Sequence, residues 1–412
     1  MNRQEIGLYL DIVKTVIAYL ARLLTQRVGA IVHRYTYRLL PNSRNVVVVG
    51  GSFAGSVVAQ RLAHTLPSGY RVVLVEKHSH FNYAFAFPRN AVFSGRESNA
   101  FIPYDNIARG APKGIFQQIC DEAVSVTDTH VNTASGASIP YEYLVIATGA
   151  AQPSPARLNA QSRSEAIEEL KAVQQRIDGA DTIAIVGGGA VGVELATEIR
   201  DKYQDKKVTL IHSRNQLLPR FGPKLHEYVL SVLQNRDIEV LLGERPQFSN
   251  HAVHAAPEMR LQLSDGRTRT WDLLIPCTGL HPQSDLIAEY SPQSIAFNGE
   301  VLVKSTLQVD HVPSSKSNIF AIGDVAQSGG AKQARAGVMQ AEVAVANILR
   351  LLKGQAAQDK YKPNYMEGTV NLTLGKSAGV VYLKKGDLEW LKETKGGDED
   401  VNVGQMRWQL NA

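Results

Sequence analysis

The chain has 412 residues, 44% of them apolar and 20% charged. That ordinary globular composition excludes a disordered, collagen-like or fibrous protein and allows two to three domains. The only cysteines, Cys120 and Cys277, stand far apart with no CxxC pair, which excludes a disulfide framework and a cysteine-type zinc site and fits a reducing compartment.

The net charge is +5, and residues 1–44 hold seven basic groups against two acidic ones, which accounts for all of it. The neutral remainder argues against specific nucleic-acid binding, which needs clustered Lys and Arg. Within the basic segment Ile6, Leu10, Val13, Ile17, Leu20 and Leu24 recur at helical steps, and Leu8, Ile12, Val16, Tyr19 and Leu23 widen the stripe. Asp11, Lys14, Thr15, Arg22 and Gln26 share the opposite, narrower face. No uncharged apolar run approaches the roughly 20 residues that span a bilayer. Three readings fit: a helix lying in a membrane interface, a helix packed on its own domain, or an organelle-targeting segment. The wide apolar face with basic flanks favours the first.

An all-valine strand, 46–49, runs into Gly50-Gly51-Ser52-Phe53-Ala54-Gly55 and a helical stretch, 56–66. A turn at Pro67-Ser68-Gly69 leads to a second strand, 70–75, that ends in Glu76, 21 residues beyond Gly55. This is a βαβ unit with the grammar of dinucleotide binding. Gly50 permits the tight turn, and Gly55 lets the helix pack close to the strand. The helix N-terminus offers N–H groups and a positive dipole to a pyrophosphate, and Glu76 is placed to accept hydrogen bonds from ribose hydroxyls. Ser52 departs from the pattern, standing where a middle glycine is usual.

The same grammar returns about 137 residues later. A strand at 182–186 meets Gly187-Gly188-Gly189-Ala190-Val191-Gly192, a helix carrying Glu194 and Glu198, and a strand at 207–211. All three motif glycines, Gly187, Gly189 and Gly192, are present. His212-Ser213-Arg214 replaces the acid after the strand, which suits a 2′-phosphate and favours NADPH over NADH. One such motif is weak, because glycine turns also serve purely structural roles. Two in complete frames are far more specific.

Apolar strands at 143–147 and 273–277 close on Thr148-Gly149 and Thr278-Gly279, where the chain leaves one half for another. Asn318-to-Asp324 reads as a strand, a glycine turn and an acid ahead of an Ala-rich helix, 333–352. Asp324 there suits hydrogen bonding to a sugar-like chain.

On these residues the chain resembles the two-dinucleotide-binding-domain flavoproteins, and among them the apoptosis-inducing-factor-like quinone reductases, the family of ferroptosis suppressor protein. The resemblance runs from Val46 to Leu351 and weakens beyond. Its most specific pieces are 46–55, Arg89, Ala147-Thr148-Gly149, 185–194, Val208-to-Ser213, Cys277-Thr278-Gly279 and Ile322-Gly323-Asp324. It implies an α/β fold with two Rossmann-like domains, a FAD domain (45–150 and 286–362) interrupted by an NAD(P)H domain (151–285), and a small C-terminal α+β cap (363–412) behind the basic segment (1–44). It implies FAD at Gly50, Gly51, Ser52, Phe53, Ala54 and Gly55, with Arg89, Ala123 beside the adenine, and Asp324 on the ribityl chain. NAD(P)H is implied at the second glycine turn.

The implied activity is hydride transfer from NAD(P)H to flavin and electron transfer onward to a quinone-type acceptor. Glu194 is a candidate to orient the nicotinamide end, or else a helix-surface partner of the dipole; no residue is assigned as acid or base. Two lone cysteines provide no dithiol relay, so the acceptor is external, with each cysteine read as a small buried core residue rather than a peroxidase thiol. His78 and His80 read as loop histidines with local hydrogen bonds. Phe81, Tyr83, Phe85 and Phe87 alternate as a half-buried strand or an acceptor channel. Lys384-Lys385 and Lys392 to Lys395, offset by Asp398, Glu399 and Asp400, read as a solvated hairpin, and 371–382 as strand-like. The expected setting is intracellular, with peripheral attachment to a membrane such as the mitochondrial or lipid-droplet surface. Two other functions remain open: a flavin-bearing interaction or signalling protein, and a tailoring oxidoreductase of a small-molecule pathway.

Overall fold

A computed structural model describes residues 3–246, 259–313, 318–396 and 401–411. In chain order, α1 (Arg3–Thr36) precedes β1 (Arg44–Val49), α2 (Phe53–Ala63), β2 (Tyr70–Glu76), β3 (Phe116–Cys120) and β4 (Tyr143–Ile146). The four valines of β1 are buried on both faces, as a central parallel strand requires. Next come α3 (Arg163–Asp178), β5 (Thr182–Val186), α4 (Ala190–Lys202), β6 (Lys207–His212), α5 (Pro223–Gln234), β7 (Glu239–Leu242) and β8 (Leu273–Pro276). The chain then returns through β9 (Ile319–Ala321) and α6 (Ala334–Leu352), and ends in β10 (Val370–Leu374), β11 (Ala378–Lys385), β12 (Leu388–Lys395) and α7 (Val403–Gln409).

The first sheet has the order β9–β4–β1–β2–β3, all parallel. The second, β7–β6–β5–β8, is also parallel. Because β9 follows the whole second sheet in the chain yet pairs with β4, one Rossmann-like unit interrupts the other. The C-terminal strands make an antiparallel sheet, β10–β11–β12, fastened to the second unit where the Tyr382 hydroxyl accepts from Gly222 N–H at 2.9 Å.

Three local expectations change. Helix α2 starts at Phe53, directly on the glycine turn, rather than at Ser56. The aromatic alternation is not a strand: His80–Asn82 is extended, a 3₁₀ turn follows, and Phe87–Asn90 is helical. Pro88 favours that first helical turn through its fixed φ. Phe81 and Phe87 are buried, and Phe85 is exposed. The stretch 371–382 is a hairpin, because Gly375 turns the chain at φ +73°. The lysine-bearing β11–β12 hairpin is present; Asp398, Glu399 and Asp400 lie outside the described residues.

Helix α1 lies along the body on its polar side. Arg22 Nη2 donates to Glu342 Oε2 at 2.6 Å, His33 Nε2 lies 2.7 Å from Leu66 O, and Asp11 pairs with Lys385. Leu8 is buried in this seam. Leu10, Ile17, Leu24 and Ile31, seven residues apart, are 64%, 61%, 66% and 62% exposed. The apolar stripe thus splits, and most of it faces outward. Among the described residues no helix is long and apolar enough to cross a membrane.

Candidate functional site

The site grows from two turns of the same construction. Gly50 has φ +97° and Gly187 φ +133°, backbone open to glycine alone. A Cβ on Gly50 would overlap the Ala147 carbonyl, and one on Gly187 the Cys277 carbonyl. A Cβ on Gly55 or Gly192 would likewise overlap the carbonyl of its own turn's first glycine. Each helix therefore packs directly on its own turn and presents its N-terminal N–H groups there.

At the first turn, Gly51 N–H donates to Glu76 Oε2 at 2.5 Å. His78 N–H donates to Glu76 Oε1 at 2.9 Å, and its ring Nδ1 lies 2.6 Å from the same oxygen. Burial pushes the Glu76 carboxyl up, but the bonds from His78 and Gly51 outweigh it and hold the group below its ordinary value. The buried Tyr104 hydroxyl donates to Gly51 O at 2.8 Å and closes the turn from behind. Ser52 is exposed and makes no capping bond, leaving its hydroxyl free at the start of α2.

An open cleft lies beside this turn, lined by Gly50, Glu76, Lys77, Ala123, Thr148, Arg157, Gln283 and neighbours. It brings together four residues expected from the sequence: Gly50, Glu76, Ala123 and Thr148. Arg157 and Gln283 were not legible. Arg157 is anchored by Ala150 O, 2.6 Å from Nη1, and Thr148 Oγ1 donates to Gln283 O at 2.6 Å. Both come from irregular segments with no period or motif. Gly149, at φ +71°, carries the chain out of the first unit.

Asp324 arrives from far along the chain. A Cβ on Gly337 would lie 3.1 Å from Ala54 Cβ, and one on Gly323 3.5 Å from it, so the first turns of α2 and α6 meet at Ala54. Gly323 N–H donates to Gln340 Oε1 at 2.7 Å, which fixes the turn carrying Asp324. Burial raises the Asp324 carboxyl, and nearby Lys332 opposes the rise.

Arg89 does not join this cleft. Its Nη2 donates to Glu198 Oε1 at 2.7 Å and to Gly375 O at 3.1 Å. The side chains are 4% and 0% exposed, so the arginine ties Phe87–Asn90 to α4 and the C-terminal hairpin. These bonds hold the side chain for which the resemblance implied a FAD contact. His78 and His80 do make local bonds, to Glu76 and to Ser79 and Asn82, but both are buried.

At the second turn, Gly188 N–H donates to His212 Nδ1 at 3.1 Å, in the relation that Gly51 has to Glu76. Gly189 caps α4 with open space around its Cα. His212 is buried and Arg214 exposed. Burial, then Arg214, lower the His212 ring pKa, and its Nε2 is buried with no hydrogen-bond partner. Glu194, in the second turn of α4, is held to β10: Thr373 N–H and its hydroxyl reach Oε1 at 3.1 and 3.2 Å. Burial pushes this carboxyl up to about 8. It is half-buried between α4 and β10.

Cys120 is exposed at the end of β3, which corrects the buried placement. A central parallel strand is covered, whereas β3 is the sheet edge. Cys277 packs behind the second turn, and burial pushes its thiol up to about 12. The two sit on different sheets. The two turns, each with a first and a last glycine whose Cβ would strike a carbonyl, fit one dinucleotide apiece.

Residues 44–347 match the family described as pyridine nucleotide-disulphide oxidoreductase. Fe-regulated protein 8 of Mycosarcoma maydis is 36% identical over 390 residues, covering 88% of this chain and 94% of that protein. Ferroptosis suppressor protein 1 of Mus musculus is 32% identical over 348 residues, covering 82% and 87%. Among solved structures, the sulfide:quinone oxidoreductase of Aquifex aeolicus superposes with a TM-score of 0.68 at 17% identity, covering 89% of this chain and 90% of that one. NDH2 of Plasmodium falciparum in complex with NADH gives 0.67 at 16% identity, covering 89% and 94%. At these identities the likeness to the solved structures is one of fold.

Proposed function

The chain belongs to the pyridine nucleotide-disulphide oxidoreductase family, whose members use flavin and pyridine nucleotide, and we propose that it carries electrons from NAD(P)H through FAD to a quinone-type acceptor at a membrane surface. The observation that carries this reading is the seating of α1. Its ionic side is satisfied by Glu342, Leu66 and Lys385, so the outward row of Leu10, Ile17, Leu24 and Ile31 is left for another apolar phase. Exposed Trp408 on α7, with Arg27 5.6 Å over its ring, extends that face with an aromatic of the interfacial type. A lipid-soluble acceptor suits such a face, and with Cys120 and Cys277 on separate sheets no dithiol stands between flavin and acceptor.

In this reading Gly50 to Gly55 hold the FAD pyrophosphate at the α2 N-terminus, Glu76 its ribose, Ala123 its adenine and Asp324 its ribityl chain. Gly187, Gly189 and Gly192 hold the NAD(P)H pyrophosphate, and His212 with Arg214 favours the 2′-phosphate of NADPH. Glu194, neutral at pH 7, positions the nicotinamide end through a proton it can donate in a hydrogen bond. When bound, FAD supplies the two-electron carrier between nicotinamide and acceptor. The protein's part is to hold the two nucleotides, exclude water and keep these dipoles fixed.

The reading is tested with ubiquinone held in phosphatidylserine-containing vesicles. Ile17→Glu with Leu24→Glu should abolish vesicle flotation and turnover of embedded quinone while a soluble short-chain quinone is still reduced. Unchanged turnover of the embedded quinone would remove the membrane from the account.

A further inference from the structure

Glu76 is gripped through both of its oxygens. Gly51 N–H donates to Oε2 at 2.5 Å, while the backbone N–H of His78 and its ring Nδ1 both lie against Oε1, at 2.9 and 2.6 Å. An ionised carboxylate has about two acceptor directions on each oxygen. Oε1 is therefore filled by His78, and one direction on Oε2 remains for a ligand in the cleft that Glu76 lines. A carboxylate oxygen accepts and does not donate, so Nδ1 carries the proton of the ring bond whether or not Nε2 is protonated. Both side chains are buried, where a charge-assisted bond is shielded from competing water.

We propose that His78 is a positioning residue for the flavin nucleotide: its ring locks the Glu76 carboxylate in one orientation, so that Oε2 alone accepts a single hydroxyl of the FAD ribose. The inference rests on the FAD site proposed above and deepens it, because a carboxylate free of the ring has both oxygens to offer to the ribose. Burial pushes the Glu76 carboxyl up, and the bonds from His78 bring it back down. With the ring gone, only the backbone N–H groups of His78 and Gly51 oppose burial, and the carboxyl takes up a proton at milder acidity. Around the pair, burial pushes the His80 ring down to about 4, and Tyr104 and Cys120 are raised, first by desolvation and then by Glu76 itself. Arg157, Lys77 with its partner Glu122, Asp121 and Asp285 complete the cleft wall.

The test strips the full chain of flavin and measures its Kd for FAD, from the quenching of flavin fluorescence, at about pH 7.5 and about pH 5.5. The unaltered protein should lose less than about threefold in affinity across that interval, because the Nδ1 bond keeps Glu76 ionised. His78→Ala removes the ring and keeps the backbone bond; acidification should weaken its affinity about tenfold more, the loss of one charge-assisted hydrogen bond read as about one pH unit. His78→Asn, whose amide nitrogen stands close to the place of Nδ1, should restore the unaltered profile. In a Glu76→Gln background, which has no acid to titrate there, His78→Ala should leave the pH profile as it is. A ring that only supports the fold would weaken FAD by the same factor at both pH values and in both backgrounds. That pattern overturns the proposal, and so does an affinity of the unaltered protein that falls about tenfold or more on acidification. The second result is read on the native sequence and does not depend on the folding of a variant. Uptake of FAD by the unaltered protein is measured first and reports on the function proposed above, so this inference can fail while that uptake stands.

Discussion

Arg89 and Glu198 form an ion pair shielded from water, Nη2 to Oε1 at 2.7 Å, linking the first Rossmann-like unit to helix α4 of the second. Two charges in such a place are held by each other, and removing one strands the other. Arg89→Met should lower unfolding free energy by about 3–5 kcal/mol, and Arg89→Met with Glu198→Leu should recover much of that loss. Urea denaturation of the FAD-loaded protein measures both. FAD absorbance per folded molecule should survive the single change; its selective loss would return Arg89 to the cofactor.

Gly55→Ala and Gly192→Ala should separate the two nucleotides. Each added methyl meets the carbonyl oxygen of Gly50 or Gly187 and forces its helix off the turn. Gly55→Ala should purify with little bound flavin. Gly192→Ala should keep its flavin and lose bleaching by NADPH. The same defect in both variants would contradict two independent cradles.

Glu194 predicts a pH dependence. Its folded pKa of about 8 lies above the ordinary carboxyl value, so the native chain retains a proton that the unfolded chain releases from about pH 4.5 upward. Stability should therefore fall as pH rises through that window and level off above about 8. The rate of flavin reduction should also fall as Glu194 ionises near pH 8. Glu194→Gln keeps the neutral form and should flatten both profiles; an unchanged limb in the variant would assign it to another group.

Arg214→Glu should raise the apparent KM for NADPH more than for NADH, because the exposed guanidinium meets only the extra phosphate. Steady-state kinetics with both nucleotides reads this directly. Equal effects would discard its part in 2′-phosphate recognition.

What was legible in the sequence follows from where a residue has no substitute. Gly50, Gly55, Gly187 and Gly192 stand where a Cβ would strike a carbonyl, so their spacing is a signature of the turns, and Glu76 and His212 follow at strand ends. Asp324 was legible because Gly323 introduces it. Arg157, Gln283 and Tyr104 reach the site from loops, and nothing in their neighbours repeats with a period. The spacing of Arg89 from Glu76 located it in the chain but not the direction of its side chain, which α4 and Gly375 settle. The aromatic alternation before Pro88 had the period of a strand, yet the proline's fixed φ began a helix there. At α1 the periodicity was plain, but only tertiary pairing with Glu342, Leu66 and Lys385 decides which part of the wide stripe turns outward.

The most direct measurement is an anaerobic absorbance titration of the purified protein with NADPH, followed by a short-chain ubiquinone. NADPH should bleach the flavin band, and the quinone should restore it rapidly. Bleaching without recovery would contradict the quinone acceptor, and bound flavin that NADPH leaves unbleached would contradict the oxidoreductase itself.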